Sequence, residues 1–207
     1  MKQLLSIAST LLLACAVVSA HADTVSYLVT VNTGSQAGNG GYMDLTLATG
    51  TLGAQDITAT VNGFNGATLN PADPNNETFG TTGSLPGPLS FDNQVSNDYF
   101  EAMTFGNQLS FLVTLSGDGV SAGGGSTSES GTSFLVTFFD PSISSFLFSN
   151  APDGVAAEID VAPEGTVTTM AQPGSSVAAT PEPATWSLVG MAGVLVGVVQ
   201  QRKRRLV

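Results

Sequence analysis

From Asp23 to Thr180 the chain contains no lysine, arginine or histidine. All five Lys and Arg (Lys2, Arg202, Lys203, Arg204, Arg205) and the only histidine, His21, sit in the end segments, while fifteen of the sixteen acidic residues lie between them. The central region therefore carries a formal charge of −15, against −11 for the whole chain. A fold built from it has no salt bridge to draw on and must be held by packing and backbone ladders, against the mutual repulsion of its carboxylates. The same absence removes several functions. Nucleic-acid binding needs cations to neutralise phosphates. Ser-His-Asp and Cys-His catalysis need an imidazole, and zinc, copper or non-haem iron sites need His or Cys. Oxygen-ligand and carboxylate chemistry remain.

With 24 Gly and 10 Pro in the chain, this region is poor material for long helices. Its apolar period is two. Val25, Tyr27, Val29 and Val31 share one face, as do Met43, Leu45 and Leu47; Ile57, Ala59 and Val61; Leu109, Phe111, Val113 and Leu115; Phe134, Val136 and Phe138; and Ala157, Ile159 and Val161. Gly, Asn, Asp and Pro clusters at 38–41, 62–66, 70–76, 117–131 and 152–154 separate these runs. The pattern predicts roughly seven to nine short strands in an antiparallel β-sandwich, jelly-roll-like, over residues 23–170. Its core is expected from Phe91, Tyr99, Phe100, Phe105, Phe111, Phe134, Phe138, Phe139, Phe146 and Phe148. Residues 171–180, made of Ala, Gln, Pro, Gly, Ser, Val and Thr, read as a flexible spacer.

The two ends read as addresses. Lys2, an apolar run from Leu4 to Val18 and the small-x-small step Ala20-His21-Ala22 form a secretory signal peptide, residues 1–22, with cleavage after Ala22. The alternative is a lipobox at Leu12-Leu13-Ala14-Cys15, with Cys15 lipidated. In the preferred reading Cys15, the only cysteine, is discarded, and no disulfide forms. At the other end Pro181-Glu182-Pro183 holds one carboxylate on a stiff extended stalk. The uncharged residues 184–199 would make a helix of about 24 Å, a short transmembrane span whose shortfall Gln200, Gln201 and snorkelling basic side chains cover. In the tail, residues 200–207, Arg202, Lys203, Arg204 and Arg205 anchor the membrane topology with the bulk of the chain outside.

A Pro-Glu-Pro tripeptide, a short apolar helix containing Trp186 and glycines, and an Arg-rich end resemble, over residues 181–207, the PEP-CTERM sorting signal of Gram-negative bacteria. The resemblance implies export by the Sec translocon, removal of the leader by signal peptidase, and an inner-membrane-anchored intermediate. An exosortase, an integral-membrane cysteine transpeptidase, would then process the chain at or near Pro181, Glu182 and Pro183 and release it to the cell surface or extracellular matrix, in association with exopolysaccharide and biofilm. Within the domain, Tyr27-Leu28-Val29-Thr30-Val31, Leu52-Gly53-Ala54, Asn97-Asp98-Tyr99-Phe100, Phe105-Gly106-Asn107 and Pro152-Asp153-Gly154 resemble landmarks of a group of uncharacterised PEP-CTERM proteins with one β domain.

Candidate chemistry inside the domain is sparse. Asp73, Asn75 and Glu77, or Asp92, Asn93, Asn97 and Asp98, could offer oxygen ligands to a structural calcium ion. Neither set has the EF-hand pattern, and turn-forming Asx residues at solvent are the preferred reading. Gly123-Gly124-Gly125 lacks a lysine and is flanked by Asp118 and Glu129, which suits a loose connection and not a phosphate cradle. The Asn76-Glu77-Thr78 sequon reads as chance. Carboxylate pairs such as Asp98 with Glu101 or Glu158 with Asp160 invite a glycosidase reading, but fifteen acids in a small domain produce pairs by accident. The residues point to a non-enzymatic exported protein with no cofactor, and the resemblance implies a place at the cell surface or in the extracellular matrix. The rival readings are a calcium-dependent carbohydrate-binding module and, behind it, a carboxylate glycosidase.

Overall fold

The computed structural model of the protein describes residues 24–50, 54–121 and 130–180. Among these residues the fold is all-β, and every strand pairing is antiparallel. The eleven strands are β1 (Thr24–Asn32), β2 (Gly40–Thr49), β3 (Thr58–Leu69), β4 (Glu77–Phe79), β5 (Thr81–Gly83), β6 (Leu89–Asp92), β7 (Asp98–Ser116), β8 (Thr132–Phe139), β9 (Val155–Val161), β10 (Val167–Ala171) and β11 (Ser175–Thr180). Asp118–Ser121 makes a single helical turn.

The 19-residue strand β7 organises the sheet. Along one edge its first half pairs with β2, continuing through β8 and β9 to β10, and its second half pairs with β1, which carries β11. Along the other edge it pairs first with β4 and then with β3, which leads to β6 and β5. The change of partner from β2 to β1 falls between Thr104 and Gln108. There β3 has register shifts between Asn62 and Asn65 and between Asn65 and Ala67, and such bulges bend a strand and increase its twist. Gly66 makes the bend feasible: its φ is +95°, and a Cβ there would run into the Gln108 carbonyl. The 62–66 cluster, expected to separate strands, is thus a kink inside one strand.

The curl brings distant strands face to face. Phe91 of β6 meets Phe134 of β8 edge-on at 5.5 Å between centroids, although β3, β7 and β2 intervene in the sheet order. Phe105, Phe138 and Phe148 form a mutually edge-packed triangle with centroids 5.2–6.1 Å apart. Around them lie the buried members of each predicted apolar face, including Val29, Leu45, Val61, Leu109 and Ile159. Full burial of each such side chain contributes about 1.5–3 kcal/mol, which supplies the cohesion that missing ion pairs cannot. Three expected core aromatics lie elsewhere: Phe100 and Phe139 are half-buried and Phe146 is 42 % exposed.

One expectation from composition is overturned. Most of 171–180 is ordered strand and not spacer, since β11 pairs with β1 from Val31 opposite Ser175 to Ser26 opposite Thr180. The Thr180 hydroxyl also donates to the Ser26 carbonyl at 3.1 Å. Small and β-branched residues suffice here, because main-chain bonds to an existing edge need no bulky side chains.

Candidate functional site

The outer face of the sheet around Phe100 gathers most of the chemistry the fold displays. Phe100 lies opposite Asp44 in the β2–β7 register and opposite Glu77 in the β4–β7 register. Two residues back along the same face comes Asp98, opposite Phe79 of β4. One aromatic ring is thus surrounded by three carboxylates from three adjacent strands. Tyr42 stacks behind Phe100 with centroids 4.8 Å apart and an interplanar angle of 11°. Phe139 and then Phe146 extend the aromatic row at 5.7 and 5.1 Å. An open hollow of about 490 Å³ lies over Phe100, lined also by Asn75, Asn76, Glu77, Asp98 and Ile143.

Local turns hold the rim. Asp73 accepts from the Tyr42 hydroxyl at 3.2 Å and from the Asn75 backbone N–H at 3.0 Å, fixing the β3–β4 loop to β2. Asn76 clamps the same loop to β7, accepting from the Ala102 N–H at 2.7 Å and donating to the Asn70 carbonyl at 2.9 Å. On the opposite rim Asp140 accepts from the Ser144 N–H at 2.8 Å and from the Ser142 hydroxyl at 3.0 Å. These bonds hold the Asp140 carboxyl below its ordinary range. They close a tight turn in which Ile143 adopts φ +56° and remains 41 % exposed.

The electrostatics centre on Asp44. Burial first, and the adjoining Asp98 carboxyl second, push its pKa up to about 7, against a smaller opposing effect of the Thr46 hydroxyl, which donates to it at 3.2 Å. No N–H or hydroxyl reaches the buried Asp98 Oδ1; the protonated form of Asp44, which this environment favours, would supply it with a donor. On the inner face Glu101 is only 7 % exposed. Burial raises its pKa, a hydrogen bond from Tyr99 lowers it, and the charge of Asp73 raises it. Tyr99, which accepts from the Leu85 N–H at 3.2 Å, is itself pushed up to about 12, chiefly by burial.

The sequence-predicted sites are redistributed by this geometry. Asp98 and Glu101 are three residues apart on one strand and project to opposite faces, so they cannot act as a pair. Glu158 and Asp160 do share a face of β9, where Asp160 accepts from Ser133 Oγ at 2.8 Å. Asn93 and Asn97, expected as solvent turns or calcium ligands, are buried clamps. Asn97 accepts from the Leu47 N–H at 2.8 Å and donates to the carbonyls of Leu47, Asp92 and Val95 at 2.9–3.1 Å. Asn93 accepts from the Ile57 N–H at 2.9 Å and donates to the Gln55 carbonyl and to Thr132 Oγ1 at 2.7 and 2.9 Å. Asp73 and Asn75 share the β3–β4 loop and are bonded to each other, whereas Glu77 is the first residue of β4, paired with Phe100. Among the described residues no group of three or more His, Cys, Asp or Glu side chains is arranged to hold a metal ion. The Asp44–Asp98 contact was missed because it links residues 54 positions apart; alternation within each strand was the one signal for it.

The signal-peptide residues Ala20 and Ala22, the lipobox Cys15, the glycines 123–125, the motif Pro181, Glu182 and Pro183, the span 184–199 and the basic Arg202, Lys203, Arg204 and Arg205 lie outside the described residues. Among the described residues no helix is long and apolar enough to cross a membrane. Comparison with known proteins returned no match: no family model, no curated protein and no solved structure aligns with the chain.

Proposed function

We propose that this chain is a non-enzymatic exported protein of the PEP-CTERM type, delivered by the Sec route, held briefly by residues 184–199, and processed by an exosortase at Pro181-Glu182-Pro183. The curled antiparallel sheet is its exported body, a jelly-roll-like sandwich of two layers with a structural or adhesive role in an exopolysaccharide matrix at the cell surface. The observation that carries the reading is charge segregation: every cation of the chain sits in an end segment, and the single acid beyond the domain, Glu182, stands between two prolines at the junction.

The strand order adds support. Because β1 and β11 are antiparallel neighbours with Ser26 opposite Thr180, Thr24 and Thr180, to which the two proposed targeting segments are joined, lie at the same end of the sheet. A domain tethered through either segment would present that end to the membrane, and both processing enzymes work at a membrane surface. With β11 running to Thr180, the tripeptide follows the folded sheet directly.

Mass spectrometry of the C-terminus of secreted protein, from strains with and without an exosortase, tests the proposal. The expected product ends at or near Glu182 in the competent strain only. Extracellular protein that retains Arg202–Arg205 in that strain would overturn it.

A further inference from the structure

The hollow over Phe100 is suited to a class of ligand that the sorting signal says nothing about. Its floor is an aromatic ring backed by Tyr42. Its lining includes the carboxylates of Glu77 and Asp98, with Asp44 across Phe100 from Glu77. Three exposed apolar groups lie around the same face: Phe79, Ile143 and Phe146, at 58, 41 and 42 % exposure. At about 490 Å³ the hollow falls within the usual range of small-ligand sites, 300–1,000 Å³. Charge complementarity selects the occupant. No lysine, arginine or histidine occurs from 23 to 180, so every anion is repelled and the countercharge must come from outside. A compact divalent ion is a poor choice, because it needs several oxygens at about 2.3–2.6 Å. Here a phenyl ring separates Glu77 from Asp44, and among the described residues no three acidic side chains are grouped to hold a metal ion. An organic ammonium group satisfies both parts of the site, since it gains from an aromatic face as well as from carboxylates.

We propose that this hollow binds the primary ammonium of amino-sugar units in a polysaccharide, with the sugar ring lying against Phe100 and the nitrogen directed to Glu77 and Asp98. The polymeric carrier follows from the shape, because an open hollow on a sheet face admits an internal unit of a chain where a closed cage would take only an end. This choice of carrier rests on the matrix role proposed above. The rim is pre-set by the Asp73, Asn76 and Asp140 turns, so little ordering is required on binding.

Calorimetric titration of the full chain in non-ionic detergent with a short glucosamine oligomer tests the assignment at low salt. Saturable binding is expected, about tenfold tighter than for the N-acetylated oligomer, whose nitrogen is uncharged. Glu77→Gln should weaken it about threefold, the scale of one exposed ion pair. Glu164→Gln, which removes the same charge from the exposed β9–β10 turn, should leave it unchanged. Phe100→Leu keeps apolar bulk against Tyr42 but removes the ring, and should also weaken binding while the urea midpoint shows the fold intact. Equal binding of the N-acetylated oligomer, equal effects of Glu77→Gln and Glu164→Gln, or absence of binding would overturn the site. Spermidine binding as tightly as the amino sugar would overturn the carrier. None of these outcomes bears on the C-terminal mass of the secreted protein, so the two proposals fail separately.

Discussion

Replacing Asp44 by asparagine should stabilise the protein at pH 8 and leave it nearly unchanged at about pH 3, below the unfolded-state value. In the folded chain Asp44 titrates at about 7, against 3.8 for an unperturbed side chain, because burial and the Asp98 carboxyl both disfavour its charged form. The folded state therefore holds a proton that the unfolded state has released, and stability falls as pH rises from about 4 to about 7, then levels off. At 1.36 kcal/mol per decade the interval corresponds to about 4 kcal/mol, and partial access of water to the carboxyl reduces the expectation to about 2–4 kcal/mol. Asparagine stays neutral throughout. It can still accept from Thr46 and donate to Asp98. Burial raises Glu101 too, which adds a slope of the same sign, but it does so in both proteins and cancels in their difference. Urea denaturation at the two pH values, with the slopes compared to exclude a change in the unfolded state, reads the effect directly. If the variant is no more stable than the parent at pH 8, or if the gap is equal at both values, the carboxyl pair is not strained and the reasoning fails.

Three further outcomes follow from the same structure. Asn97→Ala removes the partner of both the N–H and the carbonyl of Leu47 in a buried position; a loss of about 2–4 kcal/mol in urea unfolding is expected, and under 1 kcal/mol would contradict the clamp. Gly66→Ala should abolish soluble protein, because its Cβ meets the Gln108 carbonyl, whereas Gly63→Ala, with φ +64° but nothing within 4 Å, should cost only about 1–2 kcal/mol; soluble yield and urea midpoints separate the two. Trypsin should leave residues 23–201 as one piece even after denaturation, since that span offers no Lys or Arg; any internal tryptic fragment seen by mass spectrometry contradicts this.

Strands with bulky alternation were legible in advance. Val29 and Val31, Met43 to Leu47, Leu109 to Leu115 and Phe134 to Phe138 are buried as their period requires, because a side chain's face in a strand depends only on its neighbours two positions away. Strand β11 was not legible, since Ser, Val, Ala and Thr in 175–180 show no apolar alternation and their order comes from the waiting edge of β1. The kink of β3 was hidden for a related reason: Gly63 and Gly66 look like a turn until β7 is seen to pair on both sides of them. The candidate site was legible only in pieces. Glu77 and Asp98 were visible as acids in turn-rich stretches; strand alternation sets Asp98 on the same face as Phe100 two residues on, but nothing local tied Glu77 to that ring.

What the chain determines by itself is its electrostatic character and its general architecture: an acidic middle without counter-ions, bounded by oppositely charged ends, whose period of two commits it to antiparallel β-structure. These are additive properties, readable residue by residue. Which carboxylates meet, which asparagines are buried, and which aromatics reach the surface depended on the register of strands far apart in sequence. Register is set by the collective fit of all the inward faces at once, and only the tertiary structure contains that fit.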